Sequence, residues 1–120
     1  MKYEEYIKEI QRTCPDLGTQ EKNIMHMLMG LQTELGEITD IFKKNVAYGK
    51  PIDWNHVKEE FGDLHWYLGN FASFCDIIPE EEFQKNIDKL KARYPEGFTE
   101  DKALNRDLIK EYKILDREIL

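Results

Sequence analysis

Two apolar stripes of helical period, set on either side of a short break, constrain this chain more than any other feature. Ile24, Leu28, Leu31, Leu35, Ile38 and Phe42 recur at alternating steps of four and three, and Val57, Phe61, Leu64, Leu68, Phe71, Cys75 and Ile78 repeat the pattern. That spacing lines one face of an α-helix and asks for a partner surface. Between the stripes, the segment from Tyr48 to Asp53 carries Gly49 and Pro51, which interrupt a helix, and Asp53 suits a cap for the next one. The expectation is two long helices folded back as an antiparallel pair, with both stripes as buried seams. Thr19 caps the first of them. Ahead of it, Tyr3, Tyr6, Ile7 and Ile10 form a short amphipathic helix that Cys14-Pro15 ends. Behind the pair, Pro79 and Glu80-Glu81-Glu82 open a fourth helix that runs to about Arg93 and stops at Tyr94-Pro95-Glu96-Gly97. Leu104, Leu108, Tyr112, Leu115 and Ile119 outline a fifth. The fold class is therefore all-α, a four- to five-helix bundle built around the long antiparallel pair. A chain of 120 residues fits one domain, residues 1–120, with a core over about 19–98 and a helical tail over about 99–120.

Charge narrows the partners. The formal net charge is −7, and no long Lys/Arg run supplies the basic footprint that a nucleic-acid polymer needs. A small anion carried in with a divalent metal is compatible with that charge, because the metal reverses the local field. Cys14 and Cys75 lack zinc-like spacing, so structural zinc is not indicated. No apolar run approaches the roughly 18 residues of a membrane span, and the expected location is the cytoplasm, with reduced thiols.

Inside the two long helices lie two nearly identical words, Glu34-Leu35-Gly36-Glu37 and Glu60-Phe61-Gly62-Asp63. Acids three apart project from one helix face and can close on one cation. Spacing alone is weak evidence, since 24 acids in this chain would give about five such pairs by chance and three occur. Three other properties carry more weight. Glu34 and Glu60 each immediately precede a stripe residue, so they flank the expected seam. Each word holds a glycine that costs roughly 1 kcal/mol against alanine in a helix, which suggests close helix approach or room for a ligand. Finally, the words are centred about Tyr48-Gly49, so folding back brings both to the same height, roughly 20 Å from the turn. Four like charges that close repel by roughly 3 to 4 kcal/mol per pair at an effective dielectric near 20, and a bound cation is the simplest compensation. Oxygen ligands without His or Cys favour Mg²⁺, with Mn²⁺ as the alternative.

The pattern resembles the MazG-like all-α nucleoside triphosphate pyrophosphohydrolases, whose signature is ExxE followed after a gap by ExxD. Here Glu34-x-x-Glu37 precedes Glu60-x-x-Asp63, and Lys89-Leu90-Lys91-Ala92-Arg93-Tyr94-Pro95-Glu96-Gly97-Phe98 looks like the family's basic helix end and RYPxGF-type segment. The likeness covers about residues 20 to 107. It implies hydrolysis of a nucleotide between the α- and β-phosphates, giving a monophosphate and pyrophosphate, in a homodimer or homotetramer. It also implies that Glu34, Glu37, Glu60 and Asp63 hold Mg²⁺, with Glu34 and Glu37 catalytic and Glu37 the candidate acceptor of the water's proton. A dimeric dUTPase-like or phosphoribosyl-ATP pyrophosphohydrolase activity is the nearest alternative, and a non-catalytic helical interaction module is a rival of another class. A di-iron carboxylate bundle fits less well, because Glu-x-x-His is absent.

Helical spacing nominates further substrate-binding residues. Lys44 lies seven after Glu37, Asn70 lies seven after Asp63, and Tyr67 lies between, all along the carboxylate line. Lys89 and Arg93, one turn apart, resemble the family's phosphate-contacting residues, with balance of a helix dipole as the alternative. Ile41 and Met27 are expected beside the carboxylate face, under a second copy. His56, one turn before Glu60, is placed to join the metal site, but reads first as a surface or capping histidine near Asp53. His65 reads as structural.

Overall fold

The computed structural model describes residues 1–118 and is all-helical. Within it the chain forms two compact units, Met1–Ile77 and the remainder from Ile78.

The first unit holds α1 (Tyr3–Arg12), α2 (Gln20–Tyr48) and α3 (Trp54–Phe74). Local chemistry sets these limits. The Thr19 side chain accepts from Lys22 N–H, and the Asp53 carboxylate accepts from His56 N–H, each capping a helix start. Gly49 ends α2 at φ 67°, a left-handed conformation that a side chain would strain. Leu17 N–H donates to Asn23 Oδ1 at 2.7 Å, fixing the turn between α1 and α2 onto a buried asparagine.

α2 and α3 run antiparallel: Tyr67 meets Gly30 near one end, and Phe42 meets Trp54 edge-on at the other, with 6.0 Å between ring centroids. The seam differs from the expected one. Met27 is fully buried, with Asn23 and Gly30 on the same line of α2 and Glu60, Gly69, Asn70 and Ala72 buried on α3. Leu35 and Phe61, placed in the seam by periodicity, are 55 % and 59 % exposed, and Leu68 and Phe42 are exposed as well. The reason is steric. A Cβ on Gly30 would overlap the Tyr67 ring, and one on Gly69 would strike Ile10 Cδ1. The close approaches are therefore made at Gly30 and Gly69, which rotates the large apolar residues outward. Gly36 and Gly62 face open space, so they make no close approach, and Met27 belongs to the core rather than to an open face.

α1 lies against α3. Trp66 Nε1 donates to Thr13 Oγ1 at 2.9 Å, Gln11 donates to Ser73 Oγ at 3.1 Å, and Asn70 Nδ2 donates to the Ile10 carbonyl at 3.5 Å.

The second unit contains α4 (Pro79–Arg93), α5 (Glu100–Leu104) and α6 (Leu108–Ile114). Pro79 takes the first helical position of α4, so Ile78 caps that helix instead of extending α3. The expected fifth helix is two short ones, because the Asn105-Arg106-Asp107 segment breaks it and Asp107 caps α6. Ile119 lies outside the described residues. α6 is held to α4 by Glu111, buried and accepting from Arg93 at 2.7 Å and Arg106 at 2.9 Å. These two guanidinium groups, Arg106 first, hold its carboxyl down at about 2.

Gly30→Ala should cost about 1–3 kcal/mol of stability by overpacking against Tyr67. Gly36→Ala, facing open space within α2, should gain up to about 1 kcal/mol from helix propensity. Denaturant unfolding of both variants checks the pair, and equal effects would contradict the packing described.

Candidate metal and nucleotide site

The antiparallel pair brings the two acidic words together. One oxygen each from Glu34, Glu60 and Asp63 lie within 4.8 Å of one another, and so do ligand atoms of Glu37, His56 and Glu60. Glu60 is common to both groups and only 5 % exposed. Glu34 and Glu60, not the neighbouring Leu35 and Phe61, are the residues of the two words that burial draws between the helices.

Burial and like charge shape the titration. Glu34 Oε2 and Glu60 Oε2 are buried with no hydrogen-bond partner, since two ionised carboxylates only accept. A proton on Glu34 turns it into a donor to Glu60. That shared hydrogen bond, then burial, then the charges of Glu60, Glu37 and Asp63 push Glu34 up to about 7. Glu37 is also raised, chiefly by its hydrogen bond to Glu60. Glu60 is lowered, chiefly by the bond from Glu34. A proton or a cation has to stand between these groups, and the orphaned oxygens and the donor set suit a hard divalent ion.

Two pockets flank the cluster. On the turn side, a cavity of about 620 Å³ is lined by Glu37, Asp40, Ile41, Lys44, Lys50 and His56 among others, a size suited to a small organic ligand. Gly36 opens onto it, consistent with room for a ligand rather than helix contact. On the other side, Thr13, Glu34, Asp63, Trp66 and Tyr67 line a pocket of about 380 Å³. Trp66 and Tyr67 meet edge-on there, with 4.9 Å between ring centroids.

The remaining expected residues fall in different settings. Lys44 pairs with Asp40 at 2.7 Å on the wall of the larger pocket. Tyr67 packs on Gly30 and borders the smaller pocket. Asn70 is buried, with its amide donor directed to backbone carbonyls of Trp66 and Ile10. Lys89 and Arg93 belong to α4 of the second unit, where Arg93 is engaged by Glu111. His65 turns its ring to the Phe61 carbonyl.

Sequence reasoning ranked His56 first as a surface or capping histidine near Asp53, and its backbone N–H is indeed capped by Asp53, but its Nε2 also stands 3.1 Å from Glu60 Oε1. The step of four to Glu60 was the available signal. Lys50 had none, because it reaches the pocket from the turn.

The profile of the MazG nucleotide pyrophosphohydrolase domain matches residues 19–98, from the cap of α2 through the end of α4. The chain belongs to the MazG family. The Gene 37 protein of Mycobacterium phage L5 is 27 % identical over 89 residues, covering 71 % of this chain and 78 % of that protein. No solved structure gives a significant match. Both acidic words lie inside the matched region, as does the whole α2–α3 pair of this MazG domain. Among the described residues, no helix is long and apolar enough to cross a membrane.

With metal removed by a chelator, the raised Glu34 carboxyl makes the folded state bind more protons than the unfolded state between about 4.5 and about 7. Stability should therefore fall as pH rises through that window and level off above it. Melting temperatures in chelator across pH test this, with Glu34→Gln expected to flatten the slope. A wild-type profile without that fall would contradict the shared proton.

Proposed function

We propose that this chain hydrolyses a nucleoside triphosphate, standard or modified, between its α- and β-phosphates, releasing a nucleoside monophosphate and pyrophosphate as a nucleotide-pool control step in the cytoplasm. The observation that carries the reading is Glu60: a buried carboxylate with an orphaned oxygen, shared by two groups of metal-ligating side chains within a MazG domain.

Glu34, Glu37, Glu60 and Asp63 would hold divalent cations, Mg²⁺ first and Mn²⁺ as the alternative. When bound, such an ion neutralises phosphate oxygens and lowers the pKa of a water. The chain's own residues supply the rest. Glu37 is exposed to the larger pocket, and its raised carboxyl suits it to take a proton from the attacking water. Lys44 and Lys50 line that pocket and favour an anionic polyphosphate. Trp66 and Tyr67 offer aromatic surface to the nucleoside on the opposite side of the carboxylates. Lys89 and Arg93 are further phosphate-binding candidates on α4. Exposed Leu35, Phe42, Val46, Phe61 and Leu68 on the long pair support assembly into a homodimer or homotetramer.

Pyrophosphate release from a panel of ribo- and deoxyribonucleoside triphosphates with Mg²⁺ tests the reading. Glu37→Gln and Glu60→Gln are each expected to lower turnover by about 10²-fold or more. Absence of pyrophosphate above these variants, for every nucleotide, would overturn it. Turnover confined to dUTP would identify the dUTPase-like alternative.

A further inference from the structure

The acidic cluster is not wholly acidic. Glu37, His56 and Glu60 bring a ring nitrogen and two carboxylate oxygens within 4.8 Å of one another. Backbone and ring are each engaged: Asp53 Oδ1 accepts from the His56 backbone N–H at 3.2 Å in the first turn of α3, and the ring Nε2 faces Glu60 Oε1 at 3.1 Å. Glu60 thus has one oxygen turned to His56 and the other, Oε2, buried without a partner. A buried carboxylate in that position can bridge two cations, one on each oxygen. Charge points the same way. Four carboxylates leave two negative charges uncompensated by one divalent ion and none by two.

We propose that His56 is a metal ligand, forming with Glu37 and Glu60 a mixed nitrogen and oxygen position beside the all-oxygen position of Glu34, Glu60 and Asp63. This rests on the reading of those carboxylates as a metal site and adds a preference to it. Mg²⁺ keeps to oxygen ligands, whereas a first-row transition ion takes an imidazole more readily, and among those ions Mn²⁺ is the one that also suits carboxylates. Of the two cations considered for this site, the His56 position therefore favours Mn²⁺ over Mg²⁺, and the all-oxygen position accepts Mg²⁺. The nitrogen also stands on the wall of the larger pocket, alongside Glu37, so an ion held there borders the space offered to substrate.

Pulsed EPR of the whole chain loaded with Mn²⁺ tests this without any turnover. The expected result is a ¹⁴N coupling from a directly bound imidazole, lost in His56→Ala. Calorimetric titration should show Mn²⁺ affinity falling about 10-fold or more in that variant, and Mg²⁺ affinity changing by less than about 3-fold. His56→Asn is the second variant if the alanine form does not fold. Bound Mn²⁺ without nitrogen coupling, or a coupling that survives both substitutions, overturns the assignment of His56 and leaves the carboxylate site standing. A wild-type chain that binds no Mn²⁺ overturns both.

Discussion

The close fit of Tyr67 over Gly30 governs the first unit. Without a Cβ at residue 30, α2 admits an aromatic ring, and the two long helices close on a line of Asn23, Met27, Gly30 and Glu34 instead of on their largest apolar residues. One turn further along α2, that same line carries Glu34 toward Glu60 and Asp63. The packing that builds the hairpin therefore also forces carboxylates together. Gly69 repeats the device where Ile10 of α1 approaches α3.

Convergence of like charge is costly, and the cluster shows how it is accommodated. Glu34 is raised to about 7 while Glu60 is lowered, so a proton is held between carboxylates that would otherwise repel. A divalent ion does the same with more charge and higher coordination. The second unit solves the opposite problem, with buried Glu111 matched by two guanidinium groups from residues 93 and 106. In one case the chain supplies the counter-charge. In the other it leaves the place for it.

Much of the fold was legible because its signals are local. Thr19, Asp53, Gly49 and Pro79 act through hydrogen bonds and backbone angles within a turn of themselves, and each stands where the sequence put it. The C-terminal helix was misjudged in continuity, since the stripe from Leu104 to Leu115 spans a break capped afresh by Asp107. The seam was misjudged in rotation. Leu35 and Phe61 recur at core spacing, yet periodicity cannot say which of two neighbouring helix faces a partner will choose when glycines permit a closer one.

What the sequence by itself determined is the helical content, the helix ends and the doubled acidic word, equidistant from the turn at Tyr48-Gly49. These follow from propensity, capping and chain length alone. Only the tertiary structure decided which atoms meet: that Gly36 and Gly62 open onto space, that Glu60 is buried with one oxygen orphaned, and that His56 turns toward it. Those outcomes depend on the rotation of each helix about its axis. That rotation is set by side-chain volume across the interface, at Gly30 and Tyr67, and not by anything either helix encodes alone.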